Sequence, residues 1–402
     1  MCLREQSIYN SNQHQSTWIA TTECFLLLVM AYDRYVAICS PLLYPVVMFN
    51  KLCTQFILVT YVIGLLLRMF CELSMKADRI MSGSSAMWTF PCMSDMTEEN
   101  HTLVTEFILT GLTDEPTLKA TLLVLFLVIY LITMVGNLGL IALIWKDPHL
   151  HTPMYLFLSS LAFADSCTTS SVTPKMLINF LSENHEISLV ECFAQFYFMG
   201  SSATTECFLL SVMAYDRYVA ICNPLLYPVL MSNRLCTQFI AVTYLLGILH
   251  LAVHVGLLLR LTFCRSNIIQ YYYCEILQLF NISCIDPSVN MFVLLVFSVS
   301  IQAFTFLTIM VSYIRVLFAI LNKKSEKGKS KAFSTCSAHL LSVSLFYGTL
   351  FLIYVCPGSG PVGDKEKMLS LFYTVIIPLL NPFVYSLRNK EVIGAFRRVV
   401  RR

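Results

Sequence analysis

From Leu122 to Ile144 the chain runs for 23 residues as one apolar stretch broken by Thr133, Gly136, Asn137 and Gly139. A helix of about 20 apolar residues crosses the ~30 Å hydrocarbon core of a bilayer. Six further segments share this character, and the seven occupy approximately 118–145, 154–181, 192–221, 236–259, 289–321, 332–355 and 368–387. Several exceed 20 residues, which allows tilt or extension beyond the bilayer. Connections are short except between the fourth and fifth segments, so neighbouring helices run antiparallel. The pattern predicts an all-α membrane protein, a bundle of seven transmembrane helices. Beyond the seventh segment Val392, Ile393, Phe396, Val399 and Val400 alternate with arginines, the spacing of a short amphipathic helix on the inner membrane surface. A solvated basic tail is the plain alternative.

Composition agrees with the pattern. Of 402 residues, 57% are hydrophobic and 13% charged, against about a quarter charged in soluble domains. The net charge of +3 is small, so its placement is the useful quantity. The link after the fifth segment, NKKSEKGKSK, has five lysines, and the tail RNKEVIGAFRRVVRR has six basic residues against one Glu. The positive-inside rule puts both in the cytoplasm. Seven crossings then leave the region before the first segment outside, where Asn100 in NHT is a glycosylation acceptor. This orientation belongs to a multi-pass plasma-membrane protein. The opening MCLREQSIYN lacks the apolar core of a signal peptide, so insertion is expected to rely on an internal span.

A repeat complicates this organisation. Residues 21–64 match 204–247 at 36 of 44 positions, so MAYDRYVAIC occurs at Met30–Cys39 and again at Met213–Cys222. Transporter repeats duplicate whole bundles and diverge in sequence, unlike this near-identical fragment. Four regions follow: an atypical extension over 1–95, an outer N-terminal stretch over 96–117, the bundle over 118–388 and a cytoplasmic tail over 389–402. In the extension, Trp18–Tyr32 has 15 residues and Phe56–Leu67 has 12. At 1.5 Å per residue both fall short of the bilayer core, so no stable insertion is expected there. Zero or two extra spans would leave Asn100 outside, whereas one would invert the bundle.

Polar residues inside spans are costly and mark function. Asp165 in the second segment and Glu206 in the third are two carboxylates at mid-membrane depth, able to share a cation or proton. The alternative is that each is neutral and hydrogen-bonded between helices. Asp216, Arg217 and Tyr218 end the third segment; an adjacent Asp can hold Arg in one arrangement and release it in another, although an Arg that merely snorkels would read the same. Asn381 and Pro382 interrupt the seventh segment, where proline frees a carbonyl and makes a hinge. Cys192, Cys264, Cys274 and Cys284 lie on the outer face, and four such cysteines allow three pairings. There is no phosphate-binding Gly-rich loop and no His-Glu-x-x-His; His250, His254 and His339 lack metal-ligand spacing to another ligand type, so neither an enzyme nor a metal site is expected.

LHTPMYLFLSSLAFADSC at 150–167, MAYDRYVAICNPLLYPV at 213–229, SYIRVLFAI at 312–320, KAFSTCSAHL at 331–340 and PLLNPFVYSLRNKEV at 378–392 together resemble the olfactory receptors, rhodopsin-like G-protein-coupled receptors. The resemblance covers roughly 96–402. It implies a rhodopsin-like bundle, a Cys192–Cys274 bridge and a second bridge between Cys264 and Cys284. It also implies a G-protein switch at Asp216, Arg217 and Tyr218, a hinge at Asn381, Pro382 and Tyr385, and an internal sodium or proton site at Asp165 and Glu206. No cofactor is implied beyond that sodium ion. An odorant pocket among the outer halves of spans three, five, six and seven would include Met199, Gly200, Ala203, Thr204, Tyr347 and Tyr354. The implied partners are a small volatile ligand, a stimulatory heterotrimeric G protein that raises cyclic AMP, and the bilayer, with no nucleic acid. Two other readings are a transporter or channel, and a non-functional product of a duplicated reading frame. The extension has no counterpart in the family pattern: Tyr9 stands where the third segment has Cys192.

Overall fold

The computed structural model describes residues 106–113, 115–182, 185–264, 266–322, 326–355, 364–387 and 390–400. The duplicated fragment and Asn100 lie outside these. Among the described residues seven long helices follow in chain order: α1 (Pro116–Lys146), α2 (Pro153–Leu181), α3 (Leu189–Cys222), α4 (Asn233–Leu258), α5 (Ser288–Leu321), α6 (Glu326–Val355) and α7. The last runs as Asp364–Leu371, a π-helical turn Phe372–Ile376, and Ile377–Leu387. A final helix, α8 (Lys390–Val400), has apolar residues on one face and arginines on the other. The fold is the seven-helix membrane bundle that the apolar pattern predicts, of the rhodopsin-like type that the resemblance implies.

Local chemistry sets several boundaries. Prolines at the first turns of α1 and α2 occupy positions whose N–H has no helical partner. A capping box opens α3: Ser188 Oγ accepts from the Glu191 N–H and Glu191 Oε2 from the Ser188 N–H. Among the described residues four helical stretches, Pro116–Lys146, Asn233–Leu258, Ser288–Leu321 and Glu366–Ser386, are long and apolar enough to cross a membrane by length and composition. On α1, Val124, Val128, Leu131 and Val135 face outward, which in a bilayer places them against lipid. By contrast α2 and α3 bury polar side chains along their length, among them Asp165, Thr168, Thr169, Glu206 and Asp216. That is the signature of helices inside a bundle.

Helix neighbours touch closely where glycine permits it. A Cβ on Gly247 of α4 would lie 2.5 Å from Thr205 Oγ1 and 2.6 Å from the Ser201 carbonyl oxygen of α3. Only a residue without a side chain lets these two backbones approach so nearly. A Cβ on Gly136 of α1 would come 3.1 Å from Pro382 Cγ of α7.

A small sheet appears where helices alone were expected. Strand β1 (Glu106–Leu109) is central, antiparallel to β2 (Glu186–Ser188) and parallel to β3 (Ile268–Ile269). Phe107, Leu109, Ile187 and Ile269 are fully or almost fully buried beneath it, with Phe263, Tyr271, Tyr272 and Tyr273 from the long α4–α5 link. Each strand is four residues or fewer, too short for alternation to stand out in sequence.

Candidate functional site

The cysteine pairing left open by spacing is resolved in the structure: Cys192 bonds Cys274, and Cys264 bonds Cys284. The first bridge joins the start of α3 to the long outer link. Gln195, one turn on, reinforces it: its Oε1 accepts from the Cys274 N–H at 2.8 Å while its Nε2 donates to the Ser171 carbonyl of α2 at 3.0 Å. On the far side, Tyr272 is buried with its hydroxyl 3.0 Å from both Ser370 and Thr374 of α7. The outer link is therefore fastened to α3 and α7 at once.

Near the C-terminal end of α3, Arg217 lies 3.1 Å from the carboxylate of its neighbour Asp216, which is wholly buried while Arg217 keeps 13% exposure. The other Asp216 oxygen accepts from the Tyr227 hydroxyl at 2.9 Å. Tyr227 belongs to the inner loop helix Tyr227–Leu230. Burial and the neighbouring Asp216 carboxylate push its phenol up, which keeps the proton on the donor. Tyr218 packs against the cluster of Val316 and Ile320 of α5 and Cys336 of α6, against which Tyr313 and Leu340 also pack. Asp216, Arg217 and Tyr218 thus meet three other elements within one turn.

Asp165 and Glu206 are both buried, and each has a specific partner. Asn381 Nδ2 donates to the two Asp165 oxygens at 3.1 and 2.9 Å, and its own Oδ1 accepts from Ser342 of α6 at 2.8 Å. Glu206 Oε1 accepts from Thr168 at 2.8 Å. Asp165 is within electrostatic reach of Glu206. The hinge residue and the acid of α2, expected as separate features, form one unit that joins α2, α6 and α7.

Pro382 deprives the Pro378 carbonyl of its helical donor, and α1 supplies a replacement. Asn137 Nδ2 donates to that carbonyl at 3.0 Å and to Thr133 O at 3.0 Å. Sequence reading counted Asn137 as an interruption of an apolar run; the signal that could have found it was a lone amide at mid-span, which needs a partner. Tyr385 is buried one turn beyond Pro382. Among the six pocket candidates, Gly200 and Thr204 face α4: a Cβ on Gly200 would lie 2.6 Å from Leu251 Cδ1, and Thr204 Oγ1 is 3.0 Å from His250 Nδ1. Met199 packs against the outer core and Ala203 is half-buried. Tyr347 is half-buried with its ring 5.3 Å from Phe346. The Tyr354 side chain lies outside the described residues. Among the described residues no group of three or more His, Cys, Asp or Glu is arranged to hold a metal ion.

Asp147 caps the C-terminal end of α1. One carboxylate oxygen takes both Arg398 Nε and NH2 of α8, at 2.9 and 2.6 Å; the other accepts from the His149 N–H at 3.1 Å. Burial pushes this carboxyl up, but the Arg398 and His149 hydrogen bonds outweigh it and hold it at about 2.

Long helices crossing on small residues, a buried acid tied to the asparagine beside Pro382, and an Asp-Arg pair at the end of α3 belong to a seven-helix membrane bundle. A model of the 7 transmembrane receptors of the rhodopsin family matches residues 14–135, and the olfactory receptor model matches 126–402. Human olfactory receptor 5AC1 is 73% identical over 307 residues, covering 76% of this chain and all of that receptor. Human olfactory receptor 5AC2 is 67% identical over 308 residues, covering 77% of this chain and all of the relative. Mouse olfactory receptor 5H17 is 58% identical over 306 residues, 76% of this chain and 99% of its own length. The chain belongs to the olfactory receptor family, whose members are receptors and not enzymes.

Proposed function

We propose that this chain is an odorant receptor that binds small volatile molecules among the outer halves of its helices and activates a stimulatory G protein, raising cyclic AMP. The observation that carries this reading is the Asp216–Arg217 pair, held by Tyr227 and set beside the α5–α6 cluster at the inner end of α3. Ligand binding favours an arrangement in which α6 moves outward and Arg217 is released to the G protein; the ligand shifts that balance only by its differential affinity for the two states. Asn381, Pro382 and Tyr385 act as the hinge of α7. Asp165 and Glu206 share a sodium ion or proton in the inactive arrangement. Met199, Ala203 and Tyr347 line the pocket, and Gly200 and Thr204 extend it toward α4. The chain lies in the plasma membrane with Asn100 outside and glycosylated, and with α8 on the cytoplasmic face. Residues 96–402 carry the receptor, and 1–95 are an atypical extension of its sequence that holds the truncated duplicate.

The test displays residues 1–402 and 96–402 on cells, each with and without Arg217→Ala, and measures odorant-driven cyclic AMP against surface density. Odorant responses that vanish in the Arg217→Ala variants at equal display support the reading. Normal cyclic AMP from Arg217→Ala overturns the switch assignment. A ligand-gated current without G protein points instead to a channel.

A further inference from the structure

At the end of the bundle that carries the sheet, a recess of about 250 Å³ lies between Gly111 and Thr113 after β1, Lys119 of α1, Asn179 of α2, His185 ahead of β2 and Tyr272 of the α4–α5 link. It is smaller than the roughly 300–1,000 Å³ of pockets that hold drug-sized molecules. The chain turns at Gly111, whose φ of +70° lies in the left-handed region that favours glycine. Asn179 is 5% exposed, and its Nδ2 is buried without a hydrogen-bond partner. An amide donor so placed is unfavourable unless something occupies the space it faces. His185 Nδ1 lies 3.2 Å from the Leu109 carbonyl oxygen and so carries a hydrogen; Nε2, also buried without a partner, accepts in the neutral ring and donates in the protonated one. Thr113 Oγ1 accepts from the Glu115 N–H at 3.3 Å, which leaves its own hydrogen to give. Lys119 brings an ammonium, and Lys367 of α7 reaches the Gly111 carbonyl at 3.5 Å. Among the described residues no carboxylate lines the recess.

We propose that this recess binds one small monovalent anion, of the size of chloride or formate, and that the anion fastens the stretch after β1 to α1 and α2. A cation there would meet the Lys119 ammonium and find no carboxylate. An anion answers the unused groups together, taking charge-assisted hydrogen bonds from the amide, the hydroxyl and the ammonium. The site is separate from the residues proposed for the odorant pocket, and it stands whether or not the chain signals. The backbone around it is sheet: the Leu109 N–H donates to the His185 carbonyl at 2.9 Å, the Thr110 N–H to Ile269 at 3.0 Å and the Gly111 N–H to Tyr271 at 3.4 Å. Opening these bonds parts the segments that line the recess and releases the anion.

The experiment measures hydrogen exchange at the amides of Leu109, Thr110 and Gly111 in the purified, detergent-solubilised full chain. Sodium chloride, sodium formate and sodium gluconate are compared at one ionic strength, so that screening is the same in each. Gluconate is too bulky for the recess. At an anion concentration about ten times its Kd, openings that release the anion become about tenfold rarer. Exchange is therefore expected to be about tenfold slower in chloride and formate than in gluconate. Lys119→Met and Asn179→Leu should lose this difference, and Lys119→Arg should keep it. Lys119 is partly exposed, so Lys119→Met decides the matter even where Asn179→Leu fails to fold. Slowing by chloride alone supports the site as one for a halide, and slowing by formate alone as one for a carboxylate. Equal exchange of the unmodified chain in all three salts overturns the proposal, since the recess then holds water only. A difference that persists undiminished in Lys119→Met also overturns it, because the salt then acts elsewhere on the chain.

Discussion

The carbonyl freed by Pro382 offers a sharp quantitative test, because two different chemical groups can satisfy it. In the native chain it is Asn137, whose amide donates to Pro378 O at 3.0 Å from a side chain with no exposure. Asn137→Ala leaves a buried carbonyl without a donor, which costs about 1–3 kcal/mol, or roughly a 5- to 150-fold change in an equilibrium constant. Replacing Pro382 by Ala restores a backbone N–H at the position that bonds residue 378 in an unbroken helix. In that background Asn137→Ala is expected to cost little, so the two substitutions should couple by about 1–3 kcal/mol. The assay follows the loss of folded monomer from detergent-solubilised full-length chain at a fixed elevated temperature, a kinetic measure suited to irreversible unfolding. Asn137→Ala should shorten the lifetime several-fold in the native background and less than about twofold with Pro382→Ala. Equal effects in the two backgrounds would refute the idea that Asn137 serves the proline-freed carbonyl.

Three further outcomes are expected. Gly247→Leu forces α4 from α3, because even a Cβ there meets the Ser201 backbone at 2.6 Å; display should fall, with a cost of about 1–3 kcal/mol or more in thermal stability. Glu275, in the outer link beside Cys274, is driven up to about 7 by burial, against hydrogen bonds from the Gln278 and Leu277 backbone and with added repulsion from Glu366. A raised carboxyl binds its proton more tightly when folded, so the link is most stable at acid pH and loosens as pH rises from about 4.5 to 7. Hydrogen exchange of Ile276–Asn281 should show this, and Glu275→Gln should flatten it. Asp147 has the opposite sign: held at about 2, its contribution is complete above the ordinary carboxylate pKa of about 3.9 and fades as pH falls toward 2. Asp147→Asn should loosen α8 at neutral pH, and exchanging the charges with Arg398→Asp and Asp147→Arg should restore its protection from proteolysis.

α1, α4, α5 and α7 were legible as long apolar runs, because a bilayer leaves few other ways to satisfy the backbone, while α2, α3 and α6 carry more polar residues among their apolar ones. Asp165, Glu206, Arg217 and Pro382 were legible for the converse reason, since each is costly where it stands. Partnership was not legible. Asn381 meeting Asp165, Asn137 meeting Pro378 and His339 meeting Leu210 join residues 216, 241 and 129 positions apart, and no local pattern encodes which distant helices face one another. His339 shows the limit well: tested for metal-ligand spacing it reads as a stray histidine, and only a carbonyl from α3 gives it a purpose. The outer sheet was missed because EFIL and EIS are too short to show a period, and two residues of β3 show none.

That sheet also governs where the chain tolerates change. Its order is β2-β1-β3, so the middle strand comes from the stretch just ahead of the first span. Remove Glu106–Leu109 and both β2 and β3 lose a hydrogen-bonding edge, while Phe107 and Leu109 leave a hole among Phe193, Phe263 and the three tyrosines. An epitope tag or cleavage site placed between Phe107 and Ile108 splits the middle strand and frees both of its neighbours. The stretch that sequence reading gave simply as an outer N-terminal region is a seam, and the loops carrying β2 and β3 are sewn to it.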